Sequence, residues 1–250
     1  MCLIAFAWKA HPGFHLVVAA HRDEWRDRPS APAHWWADAP HLAGGRDLQA
    51  GGTWLGVTRS GRFAAVTNYR GPQDRRASGR SRGELATRFL KGASAPVDYL
   101  EDLASRASEY QGFNLLAADG NTLAYFSNRD NRVRVLEPGV HALSNHLLNT
   151  PWPKLVRAKQ ALAHHLLGED DALLGALADP TPAPDHALPD TGVGRERERE
   201  LSPMLITGVR YGTRSSTLVR LGASGGRLVE RTLDPTGGIA STVTIAWPEP

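Results

Sequence analysis

A cysteine stands directly behind the initiating methionine, and it is the only cysteine in the chain. Excision of Met1, which a small second side chain favours, leaves Cys2 with a thiol and a free α-amine on one residue. A free thiol ionises near about 8.5 and an α-amine near about 7.7 to 8.0, so the amine can take the thiol's proton near neutral pH, directly or through water. That is the activation logic of nucleophiles placed at a chain start. The plain alternative for Cys2 is a small apolar residue opening a buried strand. A second cluster, His21-Arg22-Asp23-Glu24-Trp25, arrives abruptly after the apolar run Phe14 to Ala20. A third, Arg70, Arg75, Arg76, Arg80 and Arg82, has the charge to attract phosphates or carboxylates. A solvated loop is the simpler account of Arg75 and Arg76. No aromatic residues interleave this run, which argues against nucleic acid. The ten histidines include no pair in the His-Glu-x-x-His frame of a zinc helix, so no metal is expected.

Those residues need elements to hold them. Cys2 to Trp8 and Phe14 to Ala20 are apolar runs of strand length around His11-Pro12-Gly13, which predicts a hairpin with the charged cluster at its far end. Arg26 to Gln49 is rich in Pro, Trp, His and Asp without a period and reads as an irregular loop. Gly52 to Val57 and Arg62 to Asn68 flank Ser60-Gly61 as a second hairpin. Helices are expected over Arg82 to Leu90, with Ser81 as N-cap, and over Pro96 to Ser108. Three short strands follow, Phe113 to Ala117, Leu123 to Ser127 and Val133 to Leu136, then Val140 to Ser144 ending at Asn145. Helices over Pro153 to Leu167 and Asp170 to Leu177 precede a Pro-rich loop. Arg195 to Glu200, alternating Arg and Glu, reads as a solvated helical turn of no functional weight. Strands at Thr217 to Leu221, Arg227 to Thr232 and Thr242 to Ala246 close the chain. Runs of strands separated by helices, with no regular strand-helix alternation, point to an α+β layered fold and away from a dinucleotide-binding domain.

The 250 residues, 41% hydrophobic and 22% charged, with a formal net charge of +3, suffice for a substantial core. One cysteine leaves no internal disulfide, which suits a reducing compartment. The first ten residues lack a basic leader region, and no stretch approaches the roughly 18 apolar residues of a membrane span. A cytoplasmic, non-membrane-spanning protein is expected, with residues 1–250 as one domain.

Met1-Cys2 together with Ala20 to Trp25 resembles the NRDE family, also called the transport and Golgi organisation family, named for an Asn-Arg-Asp-Glu motif. His21 replaces the Asn, while Arg22, Asp23 and Glu24 are kept. Gly51 to Gly56, Thr67 to Arg70, Ser81 to Leu85, Gly112 to Leu115, Leu143 to Asn145 and Tyr211 to Thr217 resemble further blocks of that family in the same order. The family is in turn similar to N-terminal-nucleophile hydrolases of the penicillin V acylase and bile-salt hydrolase group.

The resemblance implies a four-layer αββα sandwich, two antiparallel sheets flanked by helices. It also implies cleavage of an amide bond in a small acylated molecule, with no cofactor required. Carried over by position, Cys2 matches the nucleophile, Asn145 and Asn68 the donors to a developing oxyanion, and Arg214 an arginine that orients the site. Arg22 and Asp23 are assigned to the chain-terminal amine. The acidic residue that those acylases carry three places after their arginine is Trp25 here, so the division of roles among Arg22, Asp23 and Glu24 stays open. His21, Glu24, Trp54, Arg70, Arg82 and Asn114 are the implied substrate-binding positions. The family's association with haem trafficking implies a second reading, a carrier of haem or a lipid-like metabolite such as an acyl-CoA, without turnover. Trp35 and Trp36 would then touch a porphyrin, though ordinary packing is the preferred account. Either reading admits a homo-oligomer.

Overall fold

The computed structural model describes residues 2–72 and 79–248. In chain order the elements are strands β1 (Cys2–Trp8), β2 (Leu16–Trp25), β3 (Ser30–Trp36), β4 (Ala39–Asp47), β5 (Leu55–Thr58) and β6 (Phe63–Asn68), then helices α1 (Gly83–Lys91) and α2 (Pro96–Ser105). Strands β7 (Phe113–Ala118), β8 (Leu123–Ser127), β9 (Arg132–Val135) and β10 (Gly139–Leu143) follow, then helices α3 (Pro153–His165), α4 (Asp170–Leu177) and α5 (Arg195–Glu200). Strands β11 (Tyr211–Gly222), β12 (Gly225–Leu233) and β13 (Ile239–Trp247) complete the described chain.

Strand alternation sorts the side chains of β1 and β2 into two layers. Ile4, Phe6, Leu16 and Val18 join Val57, Phe63, Leu116 and Tyr125 in a core between two sheets. Their neighbours Leu3, Ala5, Val17 and Ala19 face the other way, against Leu155 and Leu162 of α3 and Leu173 and Leu177 of α4. The second sheet likewise turns Val66, Leu115 and Phe126 outward against Leu85 and Phe89 of α1 and Leu100 and Leu103 of α2. Strands buried on both faces lose the apolar-polar alternation of a half-exposed sheet, which is why they read as continuous apolar runs. The result is an α+β sandwich of four layers, αββα. The first sheet has the order β10-β1-β2-β11-β12-β13 and the second runs β3-β4-β5-β6-β7-β8-β9, with every pairing among the described residues antiparallel. No described helix is long and apolar enough to cross a membrane.

The structure corrects several boundaries. Residues 26–49 are not an irregular loop: β3 and β4 pair from Ser30↔Asp47 to Trp36↔Ala39 with two register shifts. The shifts break the two-residue period, and β3 tolerates Pro32 because it is an edge strand. The charged cluster does not cap β2 but lies inside it, because β11 pairs with β2 through Trp25, Glu24 and Asp23. Helix α1 takes Arg82, not Ser81, as N-cap and has no side-chain cap. The proposed role of Arg75 and Arg76 lies outside the described residues.

Candidate active site

Cys2 opens β1 directly opposite Arg22 of β2. Because Ile4 and Ala20 face the inter-sheet core, the alternation turns Cys2, Arg22 and Glu24 toward that side as well. There the sheets part to form a cleft of about 720 Å³, walled by Cys2, Arg22, Glu24, Trp54, Asn68 and Arg82. Asp23 and Arg214 also reach its lining.

Cys2 is 7% exposed, and its carbonyl accepts a bond from the Ser144 hydroxyl at 2.8 Å. Burial pushes the Cys2 thiol up to about 11; Asp23 and Glu24 push the same way, while the chain-terminal charge and Arg22 oppose them. Arg22 lies 3.6 Å from the Glu24 carboxylate, and Glu24 accepts the Trp25 backbone N–H at 2.9 Å. Asp23 points to the opposite face of β2 and accepts the Thr213 hydroxyl at 2.7 Å. The pairing of β2 with β11 shifts register between Thr213 and Ser215, and this bulge re-aims Arg214. Its guanidinium donates to the carbonyls of Trp25, Arg26 and Arg28. Arg214 thereby fixes the turn that carries Arg28 into the cleft wall.

The two implied oxyanion donors occupy different situations. Asn68 ends β6 at the cleft. Asn145 is fully buried outside the lining; its amide donates to the Asn68 carbonyl at 2.9 Å and its Oδ1 accepts from Ser144 at 3.2 Å. Asn145 therefore holds the end of β6 in place, one step behind the cleft.

Three positions expected to touch substrate do not line the cleft. His21 is fully buried, on the outward face of β2, with Nδ1 at 2.9 Å from the Met204 carbonyl; burial lowers its pKa. Asn114 is fully buried. Its amide donates to Thr67 Oγ1 and the His146 carbonyl, both at 3.1 Å, and its Oδ1 accepts the Tyr125 hydroxyl at 2.8 Å. Arg70 pairs with Glu198 at 2.8 Å, the two side chains being 10% and 2% exposed. That pair also corrects the reading of Arg195 to Glu200 as wholly solvated. Glu198 accepts the backbone N–H of Thr191 at 2.9 Å and its hydroxyl besides, so one carboxylate of the alternating run anchors α5. Trp36 is buried with its indole N–H on the Gly44 carbonyl, and Trp35 meets Trp247 edge-on. Both indoles are engaged in packing.

Two ionisable groups near the site escaped the sequence reading. Glu230 is buried in the cleft wall, accepting the Ala33 N–H at 2.7 Å, and burial raises its pKa. Its signal was a carboxylate two residues from the inward-facing Leu228. Lys154 is buried on the other side of the first sheet, donating to the Leu201 carbonyl at 3.1 Å. Burial lowers its pKa to about 8, against the favourable charge of Asp23. Its spacing of four from Ala158 and eight from Leu162, both buried, was the available hint. Among the described residues, no group of three or more His, Cys, Asp or Glu is placed to hold a metal ion.

The solved mutant C2A of the conjugated bile acid hydrolase from Clostridium perfringens has a similar fold, with a TM-score of 0.50 over 99% of this chain and 93% of that one at 8% sequence identity. The Transport and Golgi organisation 2 family model matches residues 1–235. A Bos taurus transport and Golgi organization protein 2 homolog is 37% identical over 249 residues, and the Mus musculus homolog is 33% identical over 249; each alignment covers 90% of both chains. On that full-length similarity the chain belongs to the transport and Golgi organisation 2 family.

Proposed function

We propose that the protein is an N-terminal-nucleophile amidohydrolase acting on a small acylated molecule, with Cys2 as its nucleophile after Met1 is removed. The observation that carries this reading is the position of Cys2 on the wall of the cleft, opposite Arg22 and beside Glu24 and Asn68. A buried thiol held near 11 is a neutral group at pH 7 and needs a base at its side. The α-amine created by Met1 removal is that base. The solved bile acid hydrolase adds support, being a variant in which the cysteine at its own second position is replaced by alanine.

In this mechanism the amine takes the thiol proton and Sγ attacks the amide carbonyl carbon. The carbonyl oxygen takes up the negative charge, and the Asn68 side chain, held from behind by Asn145, donates to it; one such donor contributes about 2.7 to 4 kcal/mol. The C–N bond breaks as the leaving nitrogen receives the proton, leaving a thioester. Water, deprotonated by the same amine, adds to the thioester and releases the acid and the thiol. Arg22 stands opposite Cys2 with Glu24 beside it, while Asp23 acts on the thiol only through its charge, from the other face of β2.

Intact-mass spectrometry of the purified protein is expected to show the loss of Met1. A thiol-directed acyl probe is expected to label the native chain and not Cys2→Ala, and the same substitution is expected to abolish release of a chromogenic amine from a panel of N-acyl amides. A retained Met1 refutes the mechanism. Saturable binding of haem or an acyl-CoA that survives Cys2→Ala, with no turnover of any amide, makes the chain a carrier on the same fold.

A further inference from the structure

Six arginines line the cleft among the described residues, and five of them are already engaged. Arg28 pairs with Asp47 at 2.7 Å, Arg46 with Asp38 at 2.6 Å, Arg80 with Glu84 and Glu109 at 2.7 and 2.8 Å, and Arg22 lies 3.6 Å from Glu24. Arg214 donates to three backbone carbonyls. Arg82 differs. It is half-buried, it makes one hydrogen bond, from Nη1 to the Gly112 carbonyl at 3.3 Å, and it has no carboxylate partner among the described residues.

A guanidinium carries five N–H donors in a planar fork that matches a carboxylate. Most of that fork is unused here, while burial has already stripped part of its hydration, which lowers the Arg82 pKa; the charges acting against this are those of Glu24 and Cys2. Arg82 lines the same cleft as Cys2. Its backbone is fixed as well. A Cβ on Gly52 would meet the Gly83 carbonyl carbon at 2.7 Å, and a Cβ on Gly83 would meet the Thr53 carbonyl oxygen at 3.3 Å. The turn that presents Arg82 is thus packed directly against the loop between β4 and β5.

We propose that the cleft selects acylated molecules that carry a carboxylate, and that the Arg82 guanidinium is the group that binds it. The inference rests on reading this cleft as the acyl site and adds the charge of its substrate. Carboxylate binding to a half-buried guanidinium is charge-assisted and two-pronged, and the neutral amide of the same shape loses both advantages.

The test uses the full chain carrying Cys2→Ala, so that binding is read without turnover, and compares N-octanoylglycine with its neutral analogue N-octanoylglycinamide by titration calorimetry. The acid is expected to bind at least tenfold more tightly than the amide. Arg82→Gln is expected to weaken the acid to the level of the amide and leave the amide unchanged, Arg82→Lys to retain part of the preference, and Arg157→Gln, at an ion pair away from the cleft, to retain it in full. Thermal melting of each variant separates loss of binding from loss of fold. No binding of the acid, or a preference that survives Arg82→Gln, overturns the proposal. Release of octanoate by the chain with Cys2 intact is measured separately. Absence of turnover with the preference intact refutes only the amidohydrolase reading, and turnover without a charge preference refutes only the role of Arg82.

Discussion

Replacing Arg70 by Met tests whether this arginine is a brace or a substrate contact. In the structure its guanidinium reaches Glu198 at 2.8 Å, and the two side chains are 10% and 2% exposed. Glu198 also holds the backbone N–H and hydroxyl of Thr191, so it stays in place when its cation leaves. A buried carboxylate without its counter-charge destabilises a fold by about 3 to 5 kcal/mol, several times the 0 to 1 kcal/mol of an exposed pair. Urea unfolding of the full chain at pH 7 is expected to show a loss in that upper range for Arg70→Met. Much of it should be recovered in Arg70→Met combined with Glu198→Met, because removing both charges also removes the desolvation penalty. A loss below about 1 kcal/mol refutes the reasoning. So does unchanged stability accompanied by weaker binding of N-octanoylglycine, which would return Arg70 to the cleft.

Further expectations follow from the same geometry. With the Cys2 thiol near 11, a chain that keeps Met1 holds about one thiolate in a thousand at pH 8; alkylation by iodoacetamide should rise about tenfold per pH unit from 8 to 10, and a plateau below pH 9 contradicts that. The Lys154 pKa is depressed to about 8 in the folded chain from an ordinary 10.5, so the unfolded chain binds the extra proton between those values and this group adds stability as pH rises through that window. The gain between pH 8 and 10 is about 2 kcal/mol, read as the change in unfolding free energy between those pH values in the native chain minus the same change in Lys154→Met. Gly52→Ala drives a methyl group into the Gly83 backbone at 2.7 and 2.8 Å; it is expected to cost about 1 to 3 kcal/mol and to weaken N-octanoylglycine, measured by melting and calorimetry, whereas an unchanged melting temperature would contradict the close packing.

What the sequence disclosed, and what it hid, follows from whether a residue's role is set locally or by a distant partner. The strands β1, β6, β7 and β8 and the helix α4 announced themselves because burial on both faces, or a short apolar helix face, is written into consecutive residues. The paired strands β3 and β4 did not, since their register shifts destroy the period that identifies a strand. The same division runs through the site. Cys2, Arg22 and Glu24 share a cleft because a two-residue alternation and a single strand pairing place them there, and the sequence could be read that far. His21 occupies a motif position yet faces the opposite layer, one residue out of phase with Arg22; placing it needed the direction of the strand, which the motif does not contain. The arginines make the point most sharply, since Arg70, Arg80 and Arg82 are chemically identical and close in sequence. Arg70 is claimed by Glu198 and Arg80 by Glu84 and Glu109, carboxylates that the fold delivers from α5, α1 and the turn after α2. Among the described residues, Arg82 is left at the cleft with one guanidinium hydrogen bond and no carboxylate partner. Under the proposed reading, function in this cluster follows from which cations the fold leaves uncompensated, a property of the assembled sandwich that no spacing of arginines along the chain contains.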